Sequence, residues 1–381
     1  MNKYVLSSLS LALAGAAGVA HAQSSVTLYG LIDTGLTYTS NSGGSSNFQQ
    51  ASGILNGNRW GLRGAEDIGN GLKAIFVLEN GFNLSTGKLG QNSREFGRQA
   101  FVGLSSNQYG AVTLGRQYDS VVDYLAPLAL NGTQYGGTLA SHPYDNDNLN
   151  NSVRINNAVK FQSVDYAGFK FGALYGFSNA AGSFADSRAY SVGASYVFGG
   201  LKVAAGYLQL NGGGSSTNTS GAVATGDSTF TAARQRTYGA GLSYAFGPAN
   251  VGLVVTQTQL NGASAISSSA SGTSSGLALT GGSARFTNYE VNGRYALTPA
   301  LSVSGAYTFT DARLDGVSPK YHQVTVQTDY ALSKRTDVYA EAAYQHVGST
   351  GNSGITADIV GVSASSTSSQ VVGTVGIRHR F

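Results

Sequence analysis

The feature that most constrains this chain is an alternation of apolar and polar residues that recurs from about residue 25 to the last residue. Between Leu72 and Glu79, the apolar residues at positions 72, 74, 76 and 78 share one side, and Lys73 and Glu79 lie on the other. A period of two residues is typical of a β-strand with two unlike faces. A soluble β-sandwich would alternate in the same way, so the connections must separate the two folds.

The connections between these strands are alternately short and long. Seven short turns are predicted near 68–71, 107–110, 165–168, 199–200, 247–250, 298–300 and 333–334. Eight longer loops are predicted near 39–57, 83–96, 119–151, 179–187, 211–233, 261–283, 312–319 and 348–368. Fifteen connections join sixteen strands and put both chain ends on the short-turn side. The pattern predicts an all-β fold, a transmembrane 16-stranded antiparallel β-barrel with short periplasmic turns and long outer loops.

A closed barrel can cross a membrane without a hydrophobic helix, because every backbone hydrogen bond is made between its strands. After residue 22 the sequence has no run of 18 or more apolar residues, so it predicts no transmembrane helix. Tyrosines recur within the strands, and such residues gather where a membrane meets water. We therefore expect aromatic girdles around the barrel.

The first 22 residues have the composition of an export signal. Lys3 gives a positive start, residues 4–20 are small and apolar, and Ala20-His21-Ala22 fits a cleavage site. We therefore expect a signal peptide at residues 1–22, a β-barrel at 23–381, and a cell outer-membrane location. The chain has no cysteine, so this exported protein would not depend on disulfides.

The sequence carries no set of residues that predicts catalysis. Without cysteine there is no thiol nucleophile or thiolate metal site, and the five histidines lack metal-ligand spacing. Carboxylates are sparse, no phosphate-binding glycine motif precedes a helix, and the basic residues are dispersed. We expect no enzyme activity, no cofactor, no metal and no nucleic-acid partner.

Several charged residues are predicted to face the inside of the barrel, because a cation on the lipid face costs about 2–4 kcal/mol near the midplane. Arg59 and Arg63 share a face, with Trp60 on the other. Arg154 and Lys160 also share a parity.

Asp33, Lys73 and Glu79 are expected to face the lumen as well. Ion pairing along the wall and a role in transport both remain open for them.

Four stretches resemble a known family. They are Ser25-Val-Thr-Leu-Tyr-Gly-Leu-Ile-Asp33, Asn58-Arg-Trp-Gly-Leu-Arg-Gly-Ala-Glu-Asp67, Val112-Thr-Leu-Gly-Arg-Gln-Tyr118 and Val375-Gly-Ile-Arg-His-Arg-Phe381. In this order they resemble the trimeric general porins of the Gram-negative outer membrane, most closely the betaproteobacterial type. The resemblance extends over essentially the whole chain after residue 22.

The resemblance implies a homotrimer around water-filled pores, each narrowed by an inward-folded third outer loop. It implies that Arg59, Arg98 and Arg154 form the arginine cluster of the constriction wall, with Arg63 a basic position just below. The terminal Phe381 would help the barrel assembly machinery to recognise the chain. Outer-membrane lipid and lipopolysaccharide would surround the barrel, and small ions and solutes would pass through it.

The third loop departs from the family pattern. Its acids Asp119 and Asp123 could still reach the constriction, but Gln134 stands where many members have a glutamate, followed by Tyr135. A basic wall facing a nearly neutral loop would concentrate anions. We therefore expect a channel for passive diffusion of small hydrophilic solutes with weak anion selectivity.

Other functions are compatible with such a barrel. It could be a substrate-specific channel, or an adhesin or receptor acting through its outer loops. An outer-membrane enzyme would need a nucleophile, histidine and acid set at one rim.

Overall fold

The computed structural model describes residues 25–214, 218–223, 226–266, 277–351 and 353–381. The predicted signal peptide at residues 1–22 lies outside the described residues. No helix among the described residues is long and apolar enough to span a membrane.

The described chain is mainly antiparallel β-structure. The strands are β1 (Ser25–Ser42), β2 (Ser45–Ser52), β3 (Arg59–Gly69), β4 (Leu72–Gly81), β5 (Gln99–Ser106), β6 (Gly110–Gln117), β7 (Ile155–Ser163), β8 (Phe169–Gly176), β9 (Ala189–Phe198), β10 (Leu201–Gly213), β11 (Phe230–Phe246), β12 (Ala249–Ile266), β13 (Leu277–Ala278), β14 (Ala284–Ala296), β15 (Leu301–Arg313), β16 (Lys320–Ala331), β17 (Thr336–Gly348) and β18 (Ser369–Arg380). Short helical turns are at Gly90–Ser93, Val121–Leu125, Ala126–Leu128, Thr138–Ala140 and Pro143–Asp145.

The strands form one closed barrel with sixteen positions in its wall. Apart from β2 with β3 and β13 with β14, strands that are adjacent in sequence pair with each other, and β1 pairs with β18 to close the ring. Two positions are interrupted strands, because β2 and β3 both pair with β1, and β13 and β14 both pair with β12. The predicted 16-stranded barrel is confirmed, and so are its seven short turns.

The first predicted loop, near 39–57, is wrong in its extent. β1 continues to Ser42, turns through two glycines at positive φ, and returns as β2. Residues 53–58 then leave the sheet. Asp33 fixes this detour, because its Oδ2 accepts hydrogen bonds from the backbone N–H groups of Leu55 (3.1 Å) and Asn56 (2.5 Å).

The two faces of the wall differ as the alternation predicts. On β18, Val375 and Ile377 are outward and exposed, whereas Thr374 and Arg378 are inward and buried. Apolar residues also contribute to the inner face, where Leu208 and Val254 of the wall form one buried cluster with Leu125 and Leu128 of the segment between β6 and β7. The inner face is therefore not polar throughout.

Candidate functional site

A cavity of about 550 Å³ lies among the long connections and the inner wall. It is bordered by the detour at 53–57, by residues 131–133 of the connection between β6 and β7, and by residues 150–154 just before β7. Arg59, Arg98 and Arg154 all line it, and no described lining residue is acidic. The cavity therefore brings together the three arginines that the sequence analysis assigned to one cluster.

Arg59 opens β3, where odd-numbered residues point inward. It pairs in register with Leu31 of β1, and Arg63 lies four residues further on the same face. The Arg63 guanidinium lies 5.4 Å from the centre of the Tyr29 ring, and its side chain is exposed. Trp60 takes the outward face, as the spacing predicts.

The guanidinium of Arg98 is bound by the carboxylate of Glu79. Its Nε donates to Glu79 Oε1 (2.7 Å), and its Nη2 donates to the hydroxyl of Tyr118 (2.9 Å). Tyr29 donates its hydroxyl to the other oxygen of Glu79 (2.9 Å). Glu79 therefore neutralises one arginine from within the wall and does not line the cavity.

Arg154 precedes β7 instead of lying within it. Its Nη2 donates to Asn151 Oδ1 (2.8 Å), and its guanidinium lies 5.7 Å from the centre of the Tyr118 ring. Burial lowers the pKa of Arg154 to about 10, and the nearby cations Arg98 and Arg116 contribute to this decrease. Tyr118 has the opposite effect and raises the pKa. The group is thus still protonated at neutral pH.

Arg154 and Lys160, which were predicted to share a face, are not related by simple strand parity. Asn157 has a positive φ of 51°, and the register against β6 shifts at this point, so the parity is broken between the two residues. Lys160 lies on the inner face, forms an ion pair with Asp123, and donates to the backbone oxygen of Tyr118 (3.0 Å). It is not a lining residue of the cavity.

The two acids at the start of the connection are used in its own folding. Asp119 is buried and accepts from the backbone N–H of Val121 (2.7 Å) and from Asn148 Nδ2 (2.6 Å). Burial raises the pKa of Asp119 to about 6. Asp123 accepts from Gln162 Nε2 (3.1 Å) besides pairing with Lys160. Neither acid lines the cavity.

Gln134 and Tyr135 contact a second group of arginines. Gln134 accepts from Arg380 Nη2 at its side-chain oxygen (3.1 Å) and from Arg378 Nη1 at its backbone oxygen (3.0 Å). The Arg294 guanidinium lies 4.1 Å from the centre of the Tyr135 ring. Unlike the cavity arginines Arg59 and Arg154, Arg378 and Arg380 pair with carboxylates, those of Asp329 and Asp337.

The remaining predicted lumen residues have different surroundings. Asp33 is buried and also accepts from the Tyr339 hydroxyl (2.6 Å), which adds to its contacts with residues 55 and 56. Lys73 pairs in register with Asp67 on the inner side of β4. Phe381 faces outward, and its backbone exchanges two hydrogen bonds with Gly30 (3.0 and 3.1 Å).

Sequence reasoning missed His142, which fixes the connection to the wall. Its Nδ1 donates to Asp147 Oδ2 (2.6 Å) and its Nε2 to Glu290 Oε2 of β14 (2.9 Å), with all three side chains fully buried. Burial lowers the pKa of His142, but the two carboxylates outweigh burial and raise it to about 10. The available signal was a histidine three and five residues before two aspartates, whereas its partner on β14 is distant in sequence.

Asn131 was also missed. It lines the cavity and is buried, yet neither its side-chain oxygen nor its side-chain nitrogen has a hydrogen-bond partner among the described residues. Buried polar atoms normally have a hydrogen-bond partner, either a protein group or an ordered water. Asn131 therefore borders the cavity with an unsatisfied amide that lies beneath its surface.

Comparison with known proteins identifies the family. A family model of the Gram-negative porins matches residues 9–350. The chain is 35% identical to an outer membrane porin protein of Bordetella pertussis, over 97% of each chain. It is 34% identical to outer membrane porin protein 32 of Delftia acidovorans, over 44% of this chain and 48% of the relative.

Solved structures agree with this result. An anion-selective porin from Comamonas acidovorans superimposes with a TM-score of 0.73 and 26% identity, over 94% of this chain and 100% of that one. OmpT of Vibrio cholerae in its trimer form has a TM-score of 0.66 at 17% identity, over 94% and 99%, which is a likeness of fold. The chain belongs to the Gram-negative porin family and forms an outer-membrane porin channel. Proteins of this family are channels, so an enzyme or a receptor barrel is not favoured.

Proposed function

We propose that this porin is weakly selective for anions and lets small hydrophilic solutes diffuse passively through the outer membrane. The carrying observation is the cavity lined by Arg59, Arg98 and Arg154 without an acidic residue among its described lining. Fixed positive charge in a narrow, low-dielectric passage raises the local concentration of anions. The structural relative from Comamonas is itself named anion-selective, which supports the proposal.

The proposal requires the connection between β6 and β7 to narrow the pore from inside. Its contacts support this arrangement, because Leu130 and Leu139 both bond to inward residues of the wall. The backbone N–H of Leu130 donates to Glu290 Oε1 (2.8 Å), and the backbone oxygen of Leu139 accepts from Gln323 Nε2 (2.9 Å). Asp119, Asp123, Gln134 and Tyr135 would then hold this constriction loop in shape.

Reversal potentials in a planar bilayer under a salt gradient test the selectivity. The variant R59S/R98S/R154S should also carry Glu79→Gln, so that the carboxylate that pairs with Arg98 in the wild type is not left unpaired. The reversal potential of this quadruple variant should change in the direction of lower anion selectivity. A matched control, K88S/K334S/R335S, removes three exposed basic residues outside the cavity and should leave the potential unchanged. A cation-selective wild type, or an unshifted quadruple variant, would overturn the proposal.

We further propose that the mature protein begins at Gln23 after removal of residues 1–22, and that it assembles as a homotrimer after Phe381 has engaged the barrel assembly machinery. The exposed ring of Phe381 at the end of β18 supports the last point. Amino-terminal sequencing of protein extracted from outer membranes tests the cleavage, and a first residue other than Gln23 would contradict it.

A further inference from the structure

The outward face of the barrel carries a row of basic residues beyond its apolar band. Direct register pairing runs from Gln209 of β10 to Arg236 of β11, then to Gln259, Arg285 and Arg313 on β12, β14 and β15. These residues are outward because they have the same parity as the exposed Leu242, Tyr289 and Tyr307 on their strands. We call Arg236, Arg285 and Arg313 the basic row.

The basic row has more positive charge than the carboxylates around it can neutralise. Arg285 and Arg313 lie directly opposite each other, an arrangement that normally destabilises a sheet. On the outward faces of the described β11, β12, β14, β15 and β16, Asp311 is the sole carboxylate, and it already pairs with Lys320 while lying 3.7 Å from Arg285. Among the residues that the structure describes, the hydrogen-bond partner of Arg236 Nε is the neutral Gln209 (3.1 Å). An external anion would relieve this repulsion.

The depth of the basic row matches a membrane surface. Arg236 lies ten residues before Phe246, the last residue of β11 at its short turn. At about 3.4 Å per residue and a tilt of about 40°, the row stands about 25 Å above that turn, which is the height of the apolar band of such barrels. Tyr238 and Tyr289 lie just below the row, where an aromatic girdle meets the headgroups.

An apolar groove of about 660 Å³ lies on the same outer wall beneath the row. Its floor is a cross-strand line of three small residues, Ala194, Ala205 and Ala240, between larger side chains such as Tyr196 and Leu242. Ala240 is four residues from Arg236 on the same face of β11, about 14 Å along the strand. A groove at this place suits an extended acyl chain whose headgroup reaches the basic row.

We propose that the basic row and this groove form a binding site for lipopolysaccharide, with its phosphates on Arg236, Arg285 and Arg313 and one acyl chain over the alanines. The row extends over three strand steps, about 14 Å, which exceeds a single phosphate diester and suits a glycolipid with several phosphates. The long-loop end of the barrel faces outward, where lipopolysaccharide forms the leaflet. The site rests on the outer-membrane location and is independent of the ion selectivity proposed above.

Binding of fluorescently labelled, purified lipopolysaccharide to the detergent-solubilised porin tests the site by anisotropy. R236Q/R285Q/R313Q should weaken binding about ten-fold or more, since each basic side chain near an anionic surface adds a several-fold factor. The same loss is expected when wild type is titrated with dephosphorylated lipopolysaccharide. The control K88Q/K334Q/R335Q also removes three positive charges, but from exposed positions outside the basic row, and it should bind lipopolysaccharide as tightly as the wild type. A240W fills the groove at unchanged charge and should also weaken binding.

Channel conductance and reversal potential, measured on the same samples, establish that the variants are folded and should equal the wild-type values. Conductance and reversal potential report on the pore. If the proposed anion selectivity is wrong, the reversal potential will show it, and the lipopolysaccharide titration will not be affected. Equal binding by wild type and R236Q/R285Q/R313Q would overturn the site. If the wild type bound phosphatidylglycerol vesicles as tightly as lipopolysaccharide, the assignment to lipopolysaccharide would be wrong. If A240W bound lipopolysaccharide as tightly as the wild type, the acyl chain would not lie in the groove.

Discussion

His142 is a single side chain that joins the longest connection of the barrel to its wall. Replacing it with alanine would leave Asp147 and Glu290 buried without their cation, a change that typically costs about 3–5 kcal/mol. We expect H142A to lower the melting temperature and to increase current noise in single-channel records. His322→Ala, on the exposed outer face, is the control and should change neither.

The same histidine predicts a pH dependence. Its folded-state pKa is raised to about 10 from an ordinary value of 6.5, so it stabilises the fold fully below about pH 6.5. This stabilisation is lost as the pH rises through about 10. Melting curves between pH 6 and 11 should therefore fall more steeply for wild type than for H142Q. Parallel curves would show that the histidine does not titrate in this range.

Asn131 offers an isosteric test of the cavity. Asn131→Asp places one carboxylate opposite three arginines without changing the shape of the side chain, so anion preference should decrease. Reversal potentials measure this shift. Asn70→Asp makes the same chemical change at the short turn between β3 and β4 and should have no effect. An unshifted N131D would mean that ions do not pass close to residue 131.

At the residue scale, sequence prediction succeeded where a strand is regular. The positions of Arg59 and Trp60 follow from parity alone, because β3 pairs without interruption near them. Asp119 and His142 could not be predicted in the same way. Their roles depend on hydrogen bonds within an irregular connection and, for His142, on a glutamate 148 residues away. No local spacing carries that information.

At the element scale, the ring closes where β18 meets β1, and Phe381 is the last residue of that seam. Deleting Phe381 removes two backbone hydrogen bonds to Gly30, worth about 1–3 kcal/mol together. Refolding into detergent in vitro should therefore change little. Outer-membrane levels in cells should fall much more, if the ring serves as an assembly signal. Western blots of membrane fractions and melting curves provide the two measurements.

Phe198→Ala is the matched control for this deletion, since it removes an exposed ring at the short turn after β9. It should keep normal membrane levels. A deletion that lowers stability and membrane levels in proportion would indicate that Phe381 acts only through the closing seam.

The elements also show where sequence patterns stop being informative. Seven turns of two to five residues were located correctly, because glycine and polar residues interrupt the alternation at each one. The detour at 53–58 was hidden inside a predicted loop. It depends on Asp33 of another strand for its hydrogen bonds, and a one-dimensional pattern does not contain that contact.

At the scale of the whole molecule, the outer surface of the barrel is uneven. The strands β3 to β6 contain no tyrosine, and their outward residues include Leu62, Val102 and Leu114. The opposite arc carries exposed outward tyrosines at Tyr196, Tyr244, Tyr289, Tyr295, Tyr307, Tyr330 and Tyr344. Tyrosine is enriched where a barrel surface meets lipid headgroups. The arc from β3 to β6 is therefore the expected contact between subunits in a trimer.

The single tryptophan of the chain lies on that arc and can report on it. Trp60 faces outward on β3 and packs edge-on against Phe96, with ring centres 6.4 Å apart. In porin reconstituted with brominated lipid, Trp60 fluorescence should be nearly unquenched, because neighbouring subunits exclude lipid. The variant W60F/Y289W moves the reporter to the tyrosine-bearing arc and should be strongly quenched. Dissociation into monomers should make Trp60 quenchable as well, whereas equal quenching of both reporters in the intact assembly would place Trp60 against lipid and remove β3 to β6 from the subunit interface.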